Sequence, residues 1–328
     1  MTEKENALIA LRGGKPEWVP CYFGITALNS PYAGERMERG VKEGYDEYGV
    51  RWIATESANN TGTPAQQLPL LTDVTKWKEQ VKFPVLNKDR FEKDAEVWFS
   101  TIKPDREHKL IDCMCPNGMF ERTHFLMGFE DTLVSLYEEP EAMYDLAGAI
   151  IDYKIEVAKM IAKYYKPDLF TYLDDYSFSD GLFFSPDKFR EVYKPHLARL
   201  VKAVQDEGMI FKQHCCGKME SLLDDFYEIG IRVFDPCQPC NDLKAMHAKY
   251  PGQICLCGGL DVQNVIDRPG ITEEEIRAEV RRCIDEYAQD GGYMMYGTTL
   301  SFFSPSAFAT GSPVSIIVDE CRTYGSHK

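Results

Sequence analysis

The spacing of apolar positions changes along the chain between helical and strand periods. In residues 1–14, apolar side chains at positions 7, 8 and 11 precede two glycines, which predicts a short amphipathic helix. Residues 18–24 are mostly apolar and predict a first strand. Residues 28–75 are rich in Asn, Gly, Pro and Thr and are too long for a simple connection, so we expect this segment to lie over a functional face.

From residue 105 onward, predicted strands and helices alternate. The strands are predicted at 110–115, 169–173, 209–214, 232–235, 254–257 and 293–296, and the helices at 140–165, from 185 onward, 218–228, 241–249, 272–289 and 312–324. Short connections between alternating strands and helices indicate a parallel sheet. Because the number of strands approaches eight, the sequence predicts an α/β fold: a (β/α)8 TIM barrel with an N-terminal extension, formed as a single domain over residues 1–328.

Composition narrows the classes of function. The chain carries 37 basic and 52 acidic residues, a formal net charge of −15, whereas nucleic-acid phosphates are bound by clustered Lys and Arg. We therefore expect no nucleic-acid partner. The sequence has no run of about 18 apolar residues, and its charged first residues lack the apolar segment of a secretory signal. These features predict a cytoplasmic protein with no membrane partner.

Polar groups and thiols follow the predicted strands. In an α/β barrel the chemistry lies at the carboxyl ends of the strands. The segments expected there are Asp174-Asp175, His214-Cys215-Cys216-Gly217, Asp235-Pro236-Cys237, Cys257-Gly258-Gly259-Leu260-Asp261 and Gly297-Thr298-Thr299. Two adjacent acids after an apolar strand are seldom both directed to solvent. Asp174 and Asp175 are therefore predicted as candidate catalytic acids, of which one orients a ligand or accepts a proton.

Four close pairs among the eleven cysteines suggest metal binding. Within a strand, residues i and i+2 point to the same side, so His214 shares a face with Cys216, and Cys255 shares one with Cys257. Zinc takes tetrahedral nitrogen and sulfur ligands, and a catalytic zinc site keeps one position open. The sequence therefore predicts a zinc site in which His214 and Cys216 lie near the sulfurs of Cys255 and Cys257.

Motifs along nearly the whole chain resemble one known family. They are ALRGGKPEWVP at residues 10–20, Tyr48-Gly49-Val50-Arg51-Trp52, Leu173-Asp174-Asp175-Tyr176, SPDKFR at residues 185–190, His214-Cys215-Cys216-Gly217, Cys257-Gly258-Gly259-Leu260-Asp261 and Gly291-Gly292-Tyr293. In this order they resemble the uroporphyrinogen decarboxylase superfamily, and within it the zinc-dependent, corrinoid-linked methyltransferase branch. The resemblance implies the same eight-stranded barrel that the periodicity predicts.

The resemblance also implies a ligand set, with one departure. Members of this branch bind zinc through a His-x-Cys pair, matched here by His214 and Cys216, and a later Cys. Thr298 stands about where that later Cys is usually found, so Cys257 is interpreted as the third ligand.

A rival ligand set comes from another part of the superfamily. Some anaerobic aryl-ether demethylases have an Asp and two Cys in a fixed spacing, with 27 residues between the Asp and the first Cys and 39 between the two Cys. Asp187, Cys215 and Cys255 fit this spacing and resemble that ligand set. In a regular strand Cys215 faces away from His214, which favours the first set, although a bulge would reverse that preference.

The decarboxylase activity itself is disfavoured. Family decarboxylases bind their many-carboxylate substrate with an N-terminal Arg-Gln-Ala-Gly-Arg segment. This chain reads Cys21-Tyr22-Phe23-Gly24-Ile25-Thr26-Ala27-Leu28 there, and no arginine follows until Arg36.

The resemblance therefore implies an enzyme of methyl transfer. The first hypothesis is zinc-assisted removal of a methyl group from a methoxylated aromatic, or a similar small methyl donor, and its delivery to the cobalt of a corrinoid carried by a partner protein. The second is methyl transfer from a methyl-corrinoid protein to a thiol, and the third is a metal-binding member without activity. The chain could also pair as a homodimer.

Overall fold

The computed structural model describes residues 1–31, 34–36, 42–54, 62–65, 69–297, 299 and 306–326. The strands in this part of the chain are β1 (Thr26–Asn29), β2 (Glu43–Tyr45), β3 (Arg51–Ala54), β4 (Gly62–Pro64), β5 (Leu110–Cys115), β6 (Leu169–Leu173), β7 (Ser177–Phe178), β8 (Gly181–Leu182), β9 (Ile210–His214), β10 (Val233–Asp235), β11 (Cys255–Cys257) and β12 (Tyr293–Met294). The helices are α1 (Glu3–Leu11), α2 (Tyr22–Ile25), α3 (Trp77–Gln80), α4 (Lys88–Ile102), α5 (Met119–Met127), α6 (Phe129–Glu138), α7 (Pro140–Tyr165), α8 (Pro186–Lys188), α9 (Lys194–Asp206), α10 (Leu223–Glu228), α11 (Leu243–Lys249), α12 (Glu273–Tyr287) and α13 (Pro313–Gly325).

Seven parallel strands form the central sheet, in the order β1-β5-β6-β9-β10-β11-β12. The sheet curls until its ends meet, because Cys21, just before β1, forms a parallel bridge with Met295, just after β12. The Tyr22 N–H donates to the Met295 carbonyl at 2.9 Å, and the Met295 N–H donates to the Pro20 carbonyl at 2.9 Å. The prediction of a TIM-barrel-like α/β fold is confirmed.

The first strand departs from the prediction for residues 18–24. Only the bridge at Cys21 is extended there, and α2 follows before β1 begins at Thr26. The Gly24 N–H donates to the Cys21 carbonyl at 3.0 Å, which turns the chain. The Tyr22 hydroxyl thereby reaches into the barrel and donates to Asp112 at 2.7 Å. Tertiary contacts at this point override the apolar pattern.

Capping residues place the later helices where the sequence predicts them. α7 begins with Pro140 in its first turn, where the missing N–H costs no hydrogen bond. α12 begins after Thr272, whose side chain accepts from the Glu275 N–H while the Glu275 carboxylate accepts from the Thr272 N–H, a capping box. α13 begins after Ser312, which accepts from the Ser315 N–H.

Alternation along the strands separates the barrel interior from its outer layer. One set of strand residues packs together with Tyr22 and with Ala7 and Leu11 of α1: Leu110, Leu169, Val233, Cys255, Cys257 and Met294. Their neighbours in sequence, such as Phe170 and Phe234, pack in a different core with the helices. Because α1 packs in one core with the residues that begin β5, β6, β10 and β11, it lies at the amino-terminal end of the barrel, which leaves the carboxyl end for a site.

Buried ion pairs hold the N-terminal extension against the barrel. The extension is an antiparallel sheet in which Gly44 pairs with Trp52, and Ile53 with Thr63. Asp46 accepts from Arg122 of α5 at 2.7 Å, and neither side chain is exposed. The Trp52 indole N–H donates to the same carboxylate at 3.0 Å. A buried charge that keeps its partner is tolerated, whereas a charge that loses its partner is costly.

A second buried pair joins Glu35 of the extension to Lys154 of α7, with Nζ and Oε1 2.6 Å apart. The extension is thus attached to two helices of the barrel. Among the described helices, none is long and apolar enough to cross a lipid bilayer.

We predict that Arg122→Met lowers the free energy of unfolding by about 3–5 kcal/mol, because it leaves the Asp46 carboxylate buried without its counter-ion. Urea denaturation measures the change. The control is Lys159→Met, which removes an ion pair to Glu156 whose side chains are 51% and 59% exposed and should cost at most about 0.5 kcal/mol. Equal losses in the two variants would contradict the assigned role of the buried pair.

Candidate metal site

Three possible metal ligands meet where two neighbouring strands end. β6 ends at Leu173 and β9 at His214, and these two residues are register partners. Among the described residues, one group of three or more His, Cys, Asp or Glu side chains has ligand atoms within 4.8 Å of one another, and its members are Asp175, His214 and Cys216. All three side chains are partly exposed. They lie at the carboxyl end of the barrel, the end at which the sequence analysis expects the chemistry.

The ligand atoms of this group lie within 4.8 Å of one another. The Cys216 Sγ lies 3.5 Å from Nε2 of His214, and Oδ1 of Asp175 accepts from the Cys216 N–H at 2.7 Å. Zn–S and Zn–N bond lengths with tetrahedral angles place a zinc-bound sulfur and nitrogen about 3.6 Å apart. The His214 and Cys216 atoms therefore already have the separation that a shared zinc ion requires.

A carboxylate orients the imidazole of His214. Nδ1 lies 3.1 Å from Oδ1 of Asp235, which is its register partner on β10. A carboxylate at this distance favours the tautomer with the proton on Nδ1 and leaves the Nε2 lone pair free for a ligand. Burial lowers the pKa of His214, but the Asp235 carboxylate and the Cys216 thiol raise it, and the net result is well above its ordinary value.

Below His214, a buried chain of charges crosses the barrel interior. We use the name buried charge chain for Asp112, Lys212 and Asp235. Nζ of Lys212 lies 3.0 Å from Oδ2 of Asp112 and 2.9 Å from Oδ2 of Asp235. Burial lowers the pKa of Lys212, but these two carboxylates raise it to well above its ordinary value. Lys212 is therefore an ammonium ion held between two carboxylates.

The two adjacent acids have different surroundings. Asp174 is fully buried and accepts from the N–H groups of Phe120 and Glu121 at 3.2 and 3.0 Å, at the start of α5. Gly118 allows this approach, because a Cβ there would lie 2.3 Å from the Asp174 Cβ. Burial raises the pKa of Asp174 to about 6. Asp174 thus caps a helix, and Asp175 is the acid that reaches the candidate ligands.

Cys257 lies in the barrel interior, apart from the Asp175, His214 and Cys216 group. It is fully buried, and its Sγ lies 3.9 Å from Sγ of Cys255. Both thiols pack against apolar residues of the strands and of α1. The structure therefore brings together two of the three predicted ligands, and Asp175 takes the place beside them.

The rival ligand set is dispersed among the described residues. Cys215 faces away from His214 and is buried, where its Sγ accepts from the Tyr176 N–H at 3.4 Å. Asp187 is 89% exposed and pairs with Arg190. Cys255 belongs to the barrel interior. Thr298, at the position expected for the later Cys, lies outside the described residues.

Glu121 is a site residue that the sequence analysis missed. Burial raises its pKa well above the ordinary value, and the Asp175 and Asp174 carboxylates raise it further. A carboxyl group that keeps its proton can donate a hydrogen bond as well as accept one. No local pattern marks Glu121, because tertiary contacts bring α5 to the site: the Gly118 N–H donates to the Leu173 carbonyl at 2.8 Å, and the Glu121 N–H donates to Asp174 at 3.0 Å.

An aromatic cluster stands beside the candidate ligands. It consists of Phe120, Phe129, Phe178 and Phe183, with Phe183 stacked on both Phe120 and Phe178 at centroid distances of 5.8 and 5.6 Å. The β7–β8 hairpin carries this cluster to the site, because the Ser177 hydroxyl donates to the Cys216 carbonyl at 2.6 Å. Phe129 and Phe178 are 41% and 44% exposed. An apolar ring therefore has exposed aromatic faces to contact near the ligand group.

A family model connects this geometry to known proteins. The uroporphyrinogen decarboxylase (URO-D) model matches residues 119–299, which include every member of the candidate ligand group. The chain belongs to the uroporphyrinogen decarboxylase family. The superfamily that the sequence motifs suggest is therefore confirmed. No curated protein sequence matches the chain.

Solved structures that align with this chain belong to proteins of different activities. A methyltransferase from Methanosarcina mazei aligns with a TM-score of 0.70 and 13% identity over 99% of each chain. A GH113 β-1,4-mannanase aligns with a TM-score of 0.40 and 10% identity over 74% of this chain and 81% of its own. A D-psicose 3-epimerase from Clostridium cellulolyticum H10 aligns at 0.39 with 11% identity over 74% and 84%. The first likeness shows that the two proteins share a fold over nearly the whole chain, the N-terminal extension included.

We predict that His124→Phe reduces the loss of stability on acidification. Burial, with a smaller effect of Arg122, lowers the pKa of His124 to about 4. The unfolded chain then binds the proton more readily, so the folded state loses stability as the pH falls from about 6.5 toward 4. The variant should lose about 2 kcal/mol less than the parent between pH 7 and pH 5.

Phenylalanine suits this position, since the His124 ring already lies 4.5 Å from the Phe125 ring and 5.3 Å from the Phe120 ring. Urea denaturation at the two pH values measures the difference. An equal loss in parent and variant would show that His124 does not titrate in this range.

Proposed function

We propose that the protein is a zinc-assisted methyltransferase that removes a methyl group from a methoxylated aromatic, or a similar small methyl donor, and passes it to the cobalt of a corrinoid carried by a partner protein. The observation that carries the proposal is the partly exposed group of Asp175, His214 and Cys216 at the carboxyl end of the barrel. The M. mazei methyltransferase, which shares the fold over 99% of this chain, supports the same reaction class.

The residues present fit a zinc ion. They offer an imidazole nitrogen, a sulfur and a carboxylate oxygen, which are the ligand types that zinc takes in proteins. Three protein ligands leave a fourth position for substrate. Asp235 supplies the carboxylate that zinc-binding histidines commonly have on their second nitrogen. Bound zinc would supply a Lewis acid that stabilises negative charge on the ether oxygen.

The surrounding residues bind and orient the donor. The exposed rings of Phe129 and Phe178 can contact the face of an aromatic substrate. The hydrogen bond from Ser177 to the Cys216 carbonyl holds the hairpin, and so Phe178, at a fixed distance from the ligands. Binding of an aromatic donor on this cluster would restrict its orientation relative to the ligand group.

A decarboxylase function has little support. That reaction in this family uses clustered arginines to hold a substrate with many carboxylates, whereas the candidate ligand group includes the carboxylate of Asp175. A negative group in this position would repel further carboxylates. Methyl transfer from a methyl-corrinoid protein to a thiol is the second candidate, because a cysteine–histidine zinc site can also hold a thiolate.

We predict that Cys216→Ser lowers zinc affinity and methyl transfer by roughly 100-fold or more, because it removes a thiolate ligand. The matched control is Cys215→Ser, which changes the adjacent buried thiol on the opposite side of the strand. Zinc is measured by elemental analysis and chelator competition. Activity is measured as demethylation of methoxylated aromatics in the presence of a reduced corrinoid protein.

The same experiment tests the alternatives. Loss of zinc in Cys215→Ser but not in Cys216→Ser would select the rival ligand set. Thiol methylation without ether cleavage would favour the second candidate function. A protein that neither binds zinc nor transfers methyl groups would overturn the proposal.

A further inference from the structure

We propose that Lys212 and Asp112 are positioning residues for His214, and that they act through Asp235. In this arrangement Lys212 fixes one oxygen of Asp235, so that the other oxygen holds Nδ1 of His214 and directs Nε2 to the candidate metal position. This inference deepens the proposed function and rests on its metal site.

The contacts form one continuous path. Oδ2 of Asp235 accepts from Lys212 at 2.9 Å, and Oδ1 of the same carboxylate lies 3.1 Å from Nδ1 of His214. The two oxygens thus bind two different partners, and the hydrogen bond from Lys212 fixes the orientation in which the carboxylate meets His214. The exposed fraction of the side chain is 1% for Asp235 and 16% for His214. The path leads from the closed interior to the open rim.

Asp112 holds Lys212 in turn. Its Oδ2 lies 3.0 Å from Nζ of Lys212 and accepts from the Tyr22 hydroxyl at 2.7 Å. The Thr171 hydroxyl donates to the same carboxylate at 2.7 Å. Nζ of Lys212 also lies 4.1 Å from the centre of the Tyr22 ring. The ammonium group is therefore constrained by two carboxylates and an aromatic face.

The composition of the barrel interior argues against a merely structural role. Apolar side chains and thiols such as Leu169, Val233 and Cys257 pack in the same interior, and burying charges is costly even when they are paired. Apolar residues of similar volume would fill this space at least as stably. The charges connect directly to His214 through Asp235. Orienting His214 is therefore the role that we assign to them.

Replacing Lys212 therefore has a defined consequence. Without the ammonium group, the Asp112 and Asp235 carboxylates face each other with no cation between them. The orientation of Asp235 toward His214 is then no longer fixed, and neither is the nitrogen of His214 that carries the proton. Outer partners of metal-binding histidines typically change metal affinity by about 10–100-fold when they are removed.

The test compares Lys212→Met with Lys154→Met. Lys154 is an equally buried lysine paired with Glu35, and it is not part of the candidate site. Both variants should lose thermal stability, because each leaves a buried carboxylate unpaired. Only Lys212→Met should weaken zinc binding, by about 10–100-fold in chelator competition, and only this variant should shift the absorption bands of the cobalt(II)-loaded protein.

A second measurement needs no metal. In metal-free protein labelled with 15N at histidine, and at a pH high enough for the ring to be neutral, the His214 ring should carry its proton on Nδ1 in the parent and in Lys154→Met. Lys212→Met should show a mixture of the two tautomers. The double variant Lys212→Met/Asp112→Asn removes the surplus negative charge, so it should recover stability while zinc affinity stays low.

The outcomes separate the two proposals. Zinc affinity and His214 tautomer unchanged in Lys212→Met would overturn the positioning role, as would an equal loss of zinc affinity in Lys154→Met. If the parent protein binds no zinc, the proposed function fails, and the tautomer measurement alone then decides the positioning role.

Discussion

Side chains alternate between the two faces of each barrel strand, and along β9 this alternation decides what the carboxyl end of the barrel contains. Lys212 and His214 point inward because they are two residues apart. Cys215 points to the opposite side and joins the outer core. The register between β9 and β10 then sets Asp235 beside His214. A shift of one residue in that register would replace a hydrogen-bonded histidine with a buried thiol.

Two separate sets of buried charges give the molecule its specific form. One set, Arg122 with Asp46 and Lys154 with Glu35, fixes the N-terminal extension to the helices of the barrel. The other, the buried charge chain, lies below the candidate site. Each charge in both sets has an opposite partner at hydrogen-bond distance, which is the condition under which a protein interior tolerates ions. The first set determines which part of the barrel is covered, and the second determines how His214 is oriented.

The candidate site joins residues whose chemistry is complementary. Asp175 and Cys216 are partly exposed and offer an oxygen and a sulfur, while Asp235 is buried and holds the imidazole. The ligands are thus open to a substrate on one side and held by the barrel interior on the other. Such support from a rigid interior gives a site its precision. The aromatic cluster adds an apolar surface next to this polar group, a combination suited to a small aromatic donor.

The sequence by itself determined most of the alternating strands and helices from residue 140 onward, and the pairing of His214 with Cys216. The helices predicted over residues 140–165, 272–289 and 312–324 begin within one residue of their predicted starts, because capping depends on neighbours a few residues away. The His-x-Cys pair was also predictable, since i and i+2 alternation is a property of a single strand. Only the tertiary structure decided that Asp175, and not Cys257, stands beside that pair, and that Lys212 has two carboxylate partners. Those contacts depend on the register of strands far apart in sequence, with Asp112 and Lys212 about a hundred residues apart, and no local pattern encodes that register.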